Sequence, residues 1–283
     1  SLAEDLGPGD ITTLSTVDAG LAARAQIRTR EDCVLAGLAV FDPLVAAMIA
    51  RAKPDEEAAS LKLTESAGDG SRVVAGEIVG TIAGTARALL MIERTLLNLI
   101  GRLSGVATMT ARFVDAVASV GASTRILDTR KTAPGHRVLE KYAVRCGGGA
   151  NHRTGLFDAI LIKDNHIVAA GSIEQAVLRA RAAAPPDIKI EVECDSRSQV
   201  EEALEAGARS ILIDNFAPDV VREIVELVGD RARVEVSGGV TLETVARYAS
   251  VGPDDISVGS LTHSARSVDL SMAITAVGPG AVA

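Results

Sequence analysis

Two strand-like runs in the middle of the chain end in cations. Arg125-Ile126-Leu127-Asp128-Thr129 is followed by Arg130 and Lys131, and Asp158-Ala159-Ile160-Leu161-Ile162 by Lys163. Later runs end in carboxylates, at Glu193 and Asp214, and then in small polar turns, Ser237-Gly238-Gly239 and Val258-Gly259-Ser260. In proteins that alternate strands and helices, residues just past the carboxyl ends of buried parallel strands converge on one mouth, where chemistry is kept. The stretch from Thr124 to His166 carries Arg125, Arg130, Lys131, Arg137, Lys141, Arg145, Arg153 and Lys163, although the whole chain has a formal net charge of -8. A cationic pocket inside an acidic protein suits a small polyanion. Nucleic acid would want a broad basic face.

Each strand end has its own chemistry. Arginines can clamp a carboxylate or phosphate through paired hydrogen bonds, while lysines act as point charges. Asn151-His152-Arg153 precedes the second run and is placed to fold over the same mouth. Glu193 and Asp214 end neighbouring runs, and adjacent parallel strands lie ~5 Å apart. Two such carboxylates can share Mg²⁺ together with substrate phosphate oxygens. At Ser237-Gly238-Gly239 and Gly259-Ser260, glycines let backbone N–H groups approach a phosphate, and a helix expected to start near Thr241 would add positive partial charge. His136, His152, His166 and His263 lack the spacing of a zinc cluster, and Cys194 reads as a packing residue.

The elements that must position these residues follow from periodicity. With 47% hydrophobic residues but 2% aromatics and no Trp, the 283-residue chain must build its core from Ala, Val, Ile and Leu, which suits buried parallel strands under alanine-rich helices. From Thr124 onward, expected strands at 124–129, 158–163, 188–193, 210–214, 233–237 and 255–259 alternate with helices near 136–145, 172–184, 197–206, 218–228 and 241–250. That rhythm demands right-handed crossovers and fits a closed or nearly closed α/β barrel, with a doubly wound open sheet as the alternative. Residues 1–105 read instead as a separate α+β domain: a half-exposed strand at 23–30, a helix near 39–52 and glycine-punctuated hairpins between 68 and 82. A helix over 86–103 buries Leu89, Ile92, Leu96, Leu99 and Leu103, while Arg87, Met91, Arg94 and Asn98 form a face that periodicity alone reads as solvated. Gly147-Gly148-Gly149 reads as a hinge or close-approach turn. No apolar run is long enough to span a bilayer, nothing resembles a secretory signal, and three scattered cysteines argue for a reducing cytoplasm. The chain opens Ser1-Leu2 without Met, so an initial segment is expected to be missing.

Taken together, the motifs closely resemble the quinolinate phosphoribosyltransferase family over essentially the whole chain. They are Glu4-Asp5-Leu6-Gly7 with Asp10-Ile11-Thr12-Thr13, Glu93-Arg94-Thr95-Leu96-Leu97-Asn98, Asp128-Thr129-Arg130-Lys131-Thr132, and Gly147 to Arg153. Ile162-Lys163-Asp164-Asn165-His166, Glu191-Val192-Glu193, Asp214-Asn215-Phe216, Ser237-Gly238-Gly239 and Val258 to His263 continue the series. The resemblance implies an N-terminal α/β sandwich domain (1–105, which the tail 268–283 is free to rejoin) followed by an open seven-stranded α/β barrel (106–267). It implies transfer of phosphoribosyl from 5-phosphoribosyl 1-pyrophosphate to quinolinate with decarboxylation, Mg²⁺ as the only cofactor, and a homodimer or higher oligomer, with no nucleic acid or membrane partner.

By the same resemblance, Thr129, Arg130, Lys131, His152, Arg153 and Lys163 line the quinolinate and pyrophosphate pocket, and Arg94 reaches the partner's site. Glu193 and Asp214 hold the ribose hydroxyls and Mg²⁺. Ser237, Gly238, Gly239, Gly259 and His263 hold the 5-phosphate, with Val258 and Ser260 beside them. Lys131, Lys163, Glu193 and Asp214 are the expected catalytic residues. The family usually has a further helix before Glu4, and its absence bears on dimer stability more than on chemistry. Three rivals are weighed against this: a relative of the same fold devoted to molybdenum uptake, a Schiff-base aldolase or lyase using Lys163, and a non-catalytic binding barrel.

Overall fold

The computed structural model describes residues 1–51 and 61–276. The strands of the first part are β1 (Ala22–Thr29), β2 (Cys33–Val34), β3 (Lys62–Ser66), β4 (Arg72–Val73) and β5 (Ile78–Thr85). The second part supplies β6 (Arg125–Leu127), β7 (Ile160–Ile162), β8 (Ile190–Cys194), β9 (Ser210–Asp214), β10 (Arg233–Ser237) and β11 (Asp255–Ser257), and β12 (Leu270–Ala276) follows. By internal contacts the chain forms two compact units, Ser1–Thr108 together with the residues from Ala265 onward, and Met109–Ser264.

The first unit is built on an antiparallel sheet in the order β12-β1-β5-β3. β1 alternates as its sequence predicts: Ala23, Ala25, Ile27 and Thr29 are buried and Arg24 and Arg28 are exposed. The helix expected over 39–52 is observed over Phe41–Arg51, and Ala52 lies outside the described residues.

The helix expected to stop at Leu103 runs on from Ala86 to Ala118. Glycine is a poor helix former, yet Gly105 lies inside this helix. Its reason is packing: a Cβ on Gly105 would overlap the Arg266 carbonyl oxygen, and one on Gly101 would come within 2.8 Å of the Val268 oxygen. The close approach lets Val268 N donate to the Gly101 carbonyl at 2.9 Å. Leu89, Ile92, Leu96 and Leu103 are buried as expected; Leu99 is half-buried, and Ile100 is buried beside them.

The second unit holds a parallel sheet in the order β6-β11-β10-β9-β8-β7. Its edge strands β6 and β7 do not pair with each other, so the sheet is open. Six strands are formed among the described residues; the seventh position is a single parallel bridge, Leu127 to Ala150. Gly149 makes that bridge possible, since a Cβ there would lie 2.7 Å from Thr110 Cγ2 and 2.9 Å from Val144 Cγ1. The crossover helices Arg137–Cys146, Ile173–Ala183, Arg197–Glu205 and Pro218–Val228 fall where the periodicity placed them. Two short helices not foreseen, Asp164–Ala170 and Ser260–His263, begin directly after strand ends.

Candidate active site

Because every strand of the second unit is parallel, register alone decides which side chains share a face. Glu193 pairs with Leu212, and Asp214 pairs with Ser237. Side chains two apart along a strand point the same way, so Glu191, Glu193, Leu212, Asp214, Glu235 and Ser237 share one face. Glu193 and Asp214 lie on adjacent strands, as expected, with Asp214 two residues beyond Leu212, Glu193's cross-strand partner.

A cavity of about 510 Å³ opens at the carboxyl ends of the strands. Of the residues foreseen from sequence, it is lined by Thr129, Lys131, Asp214, Ser237, Gly238, Gly239, Val258, Gly259, Ser260 and His263. Gly238 and Gly239 have φ of 89° and 60°, so the chain leaves β10 in the left-handed region that glycine tolerates. This corrects the expected helix at 241–250. The chain first makes a turn in which Thr241 N donates to Thr244 Oγ1 at 2.9 Å, and the helix is the short Val245–Ala249. The turn residues Gly238, Gly239, Val240 and Thr241, rather than a helix end, line the cavity. Gly259 has a separate role: a Cβ there would sit 3.2 Å from both Lys131 Cδ and the His263 ring. Its absence lets both side chains lie against the backbone.

The other foreseen residues of this unit are linked among themselves. Lys163 forms an ion pair with Glu193. Arg153 has its guanidinium pKa lowered, first by burial and then by the charge of Arg130, so two arginines crowd one locality. Crowded like charges need a polyanion to offset them. Arg94 belongs to the first unit, where it is exposed and lies 3.9 Å from Glu93. It lines a small recess there with Asn98, Ser267 and Asp269.

His152 and Arg153 are held by a buried hub that sequence reading did not single out. Asp128, fully buried, pairs with Lys141. It also accepts from Asn151 Nδ2 at 2.6 Å and from His152 N at 2.9 Å. Lys141 Nζ donates in addition to the His152 carbonyl at 2.9 Å. Burial raises the Asp128 pKa, and the hydrogen bond from Lys141 opposes that. A hub of this kind fixes the loop because removing one partner would leave a buried charge uncompensated.

Two further carboxylates were missed. His152 Nε2 lies 3.0 Å from Glu191 Oε2 and 3.5 Å from Glu235 Oε1, and both glutamates are buried. The signal was present in Ile190-Glu191-Val192-Glu193 and Arg233-Val234-Glu235, acids at alternate positions of strands otherwise built to be buried. The three ligand atoms lie within 4.8 Å of one another, the dimensions of a metal site, so the conclusion that no histidine has metal-ligating company holds for sequence spacing but not for space.

Protons explain how the cluster is tolerated. Burial works to raise Glu191, but the His152 hydrogen bond and the charge of Lys189 outweigh it and bring its pKa down to about 2. Burial and the Glu191 charge push Glu235 up to about 7. Burial works to lower His152, but the Glu191 hydrogen bond and the two carboxylate charges raise it.

The sign of the pH effect follows. A carboxyl whose pKa is raised by folding keeps a proton that the unfolded chain has released. Its stabilisation is complete below the unfolded value of 4.5 and is lost as pH rises through about 7. Glu235→Gln cannot ionise, so denaturant unfolding should show a shallower loss of stability between pH 5 and 8 than wild type. At ~1.4 kcal/mol per pH unit, the two curves should diverge by roughly 2–3 kcal/mol. Parallel curves would contradict the assignment.

An open parallel α/β barrel whose strand-end cavity is bounded by glycine turns, lysine and carboxylate defines the class, a phosphoribosyltransferase-type enzyme. Residues 106–273 match the family model described as quinolinate phosphoribosyl transferase, C-terminal domain, and residues 10–104 match that for the N-terminal domain. The chain belongs to the quinolinate phosphoribosyl transferase family. It is 43% identical over 272 residues to a probable nicotinate-nucleotide pyrophosphorylase [carboxylating] of Bacillus subtilis, covering 96% of this chain and 90% of that one. It is also 43% identical over 280 residues to the nicotinate-nucleotide pyrophosphorylase [carboxylating] of Mycobacterium leprae, covering 96% and 94%. Among solved structures, the nicotinate-nucleotide pyrophosphorylase of Francisella tularensis superposes with a TM-score of 0.89 at 36% identity, covering 97% of this chain and 93% of that one.

Proposed function

We propose that the protein transfers phosphoribosyl from 5-phosphoribosyl 1-pyrophosphate to quinolinate and releases CO₂, forming nicotinate mononucleotide in NAD biosynthesis. The observation that carries this is the division of the mouth into a cavity bounded by the Ser237-Gly238-Gly239 turn, Gly259 and Lys131, which fits a phosphate, and a further set of cations, Arg130, His152, Arg153 and Lys163, which fits a dicarboxylate. The pyridine nitrogen of quinolinate attacks the anomeric carbon, and pyrophosphate departs with the former C–O bonding pair. Lys131 and Lys163 stabilise the growing charge on the leaving group, the kind of preorganised electrostatic support that outweighs other contributions in such reactions. Glu193 and Asp214 face the ribose, which becomes cationic. The resulting pyridinium accepts the electron pair left when the adjacent carboxylate breaks away as CO₂, and the ring carbon then takes a proton.

Glu193 and Asp214 share a face, and each has a carboxylate oxygen beyond the one bonded to Lys163 or Asn215, which fits a divalent cation. Mg²⁺ held there would supply charge to the pyrophosphate. The protein is also taken as a homodimer in which Arg94 completes the partner's pocket, and as cytoplasmic, consistent with Cys33, Cys146 and Cys194 forming no disulfide. Among the described residues no helix is long and apolar enough to cross a membrane.

The Schiff-base alternative is disfavoured by the ion pair between Lys163 and Glu193, since an imine-forming lysine is activated by an apolar pocket or a neighbouring cation. Quinolinate should be turned over in the presence of phosphoribosyl pyrophosphate and Mg²⁺. Nicotinate, which lacks one carboxylate, should be used poorly, each lost charge-assisted contact being worth ~1.5–3 kcal/mol. Comparable use of nicotinate would remove the dicarboxylate from the account.

A further inference from the structure

Asn215 is the one non-glycine residue with a positive φ, 63°, among the described residues. Asparagine is one of the few residues that visit this region without a large penalty. Its backbone N donates to the Ser237 carbonyl at 3.0 Å, carrying the β9–β10 ladder one residue past the Asp214–Ser237 pair. Its side-chain Nδ2 donates to Asp214 Oδ2 at 2.6 Å. The same side chain covers Gly238: a Cβ on that glycine would overlap Asn215 Oδ1 and lie 2.6 Å from Cγ. Just beyond, Tyr248 OH donates to the Phe216 carbonyl at 2.9 Å and fastens the far side of the turn.

We infer that Asn215 is a positioning residue, which fixes the Asp214 carboxylate in one orientation and locks it to the Ser237-Gly238-Gly239 turn. This rests on the proposed phosphoribosyl transfer, in which Asp214 meets the ribose and the turn meets the phosphate. The two groups must be held at one spacing to receive two parts of a single substrate. With Oδ2 occupied by the amide, Oδ1 is the oxygen Asp214 offers to the ligand. The bond does little for the fold itself. Asn215 is exposed and Asp214 half-exposed, and hydrogen bonds between wet groups contribute little net stability. What the amide supplies is preorganisation of a charge whose placement matters to the reaction.

Two variants separate the backbone from the amide. Asn215→Gly keeps the left-handed turn without strain and removes only the side chain; Asn215→Asp keeps the size but sets a second carboxylate against Asp214. Steady-state kinetics would be read alongside calorimetric titration of each substrate singly. Asn215→Gly should lose about 10- to 100-fold in kcat/KM for phosphoribosyl pyrophosphate and lose affinity for it, with quinolinate affinity and thermal midpoint close to wild type. Asn215→Asp should lose more. An Asn215→Gly enzyme equal to wild type would show that only the turn matters and overturn the inference, as would an equal loss of quinolinate affinity. Failure of wild type itself to turn over quinolinate would sink the proposed reaction instead, and failure to bind phosphoribosyl pyrophosphate would sink both.

Discussion

Lys163→Ala should lower kcat/KM for quinolinate by at least ~10²–10³-fold, the range found when one preorganised group facing developing charge is removed. The structure gives the reason in two parts. Lys163 stands immediately after β7, at the mouth, and its amine is paired with Glu193, itself half-buried. Truncation removes a cation from the pocket proposed to receive quinolinate and pyrophosphate. It also releases Glu193, so a carboxylate loses its partner where a polyanion has to bind. Both changes raise the barrier. Stability should hardly change, because the Lys163 side chain is 42% exposed and exposed ion pairs contribute only about 0–1 kcal/mol. A large activity loss with an unshifted thermal midpoint identifies a reaction partner. Borohydride added with either substrate should leave wild type active; inactivation would bring back the imine-forming alternative.

Mixing two dead variants should restore activity. Arg94 lies on the exposed face of the helix Ala86–Ala118, away from the buried Leu89, Ile92, Leu96 and Leu103. If Arg94 completes the partner's pocket in a two-fold dimer, Arg94→Ala lacks the donated group and Lys163→Ala lacks the receiving one, so each pure dimer is nearly inactive. In a mixed dimer one site collects both defects and the other none. Free exchange of equal amounts makes roughly half the dimers mixed, each with one intact site, and should recover roughly a quarter of wild-type activity by this symmetry. Differently tagged chains would prove the exchange. Proven exchange with no recovery would place Arg94 in its own subunit's site or outside the chemistry.

Much of the barrel was legible because its signals are local. Ser210–Asp214 and Pro218–Val228 begin and end where hydrophobic runs and a first-turn proline say they should. The strand-end residues were legible for the same reason: parallel strands send their carboxyl ends to one side, so order along the chain already lists the mouth. What stayed hidden depends on contacts between distant residues. Nothing local in Ser104-Gly105 announces that the helix continues past it, since the reason is the chain at Arg266–Val268. Glu191 and Glu235 are acids within buried strands, and nothing local shows that they meet at His152, more than thirty residues away in sequence from either. The helix expected at Thr241 was mistaken because two left-handed glycines and a threonine turn delay it to Val245. The pairing of Asp128 with Lys141 was concealed by a rule that is usually sound, namely that Asp and Lys are seldom fully buried.

The central claim is that one site joins phosphoribosyl transfer to decarboxylation. It is tested most directly with quinolinate labelled in the carboxylate next to the ring nitrogen, supplied with phosphoribosyl pyrophosphate and Mg²⁺. Labelled CO₂ and nicotinate mononucleotide should appear together in equal amounts, with pyrophosphate matching both, and no CO₂ should form when phosphoribosyl pyrophosphate is omitted. Release of CO₂ without the mononucleotide, or a ribosylated product that keeps both carboxylates, would contradict it.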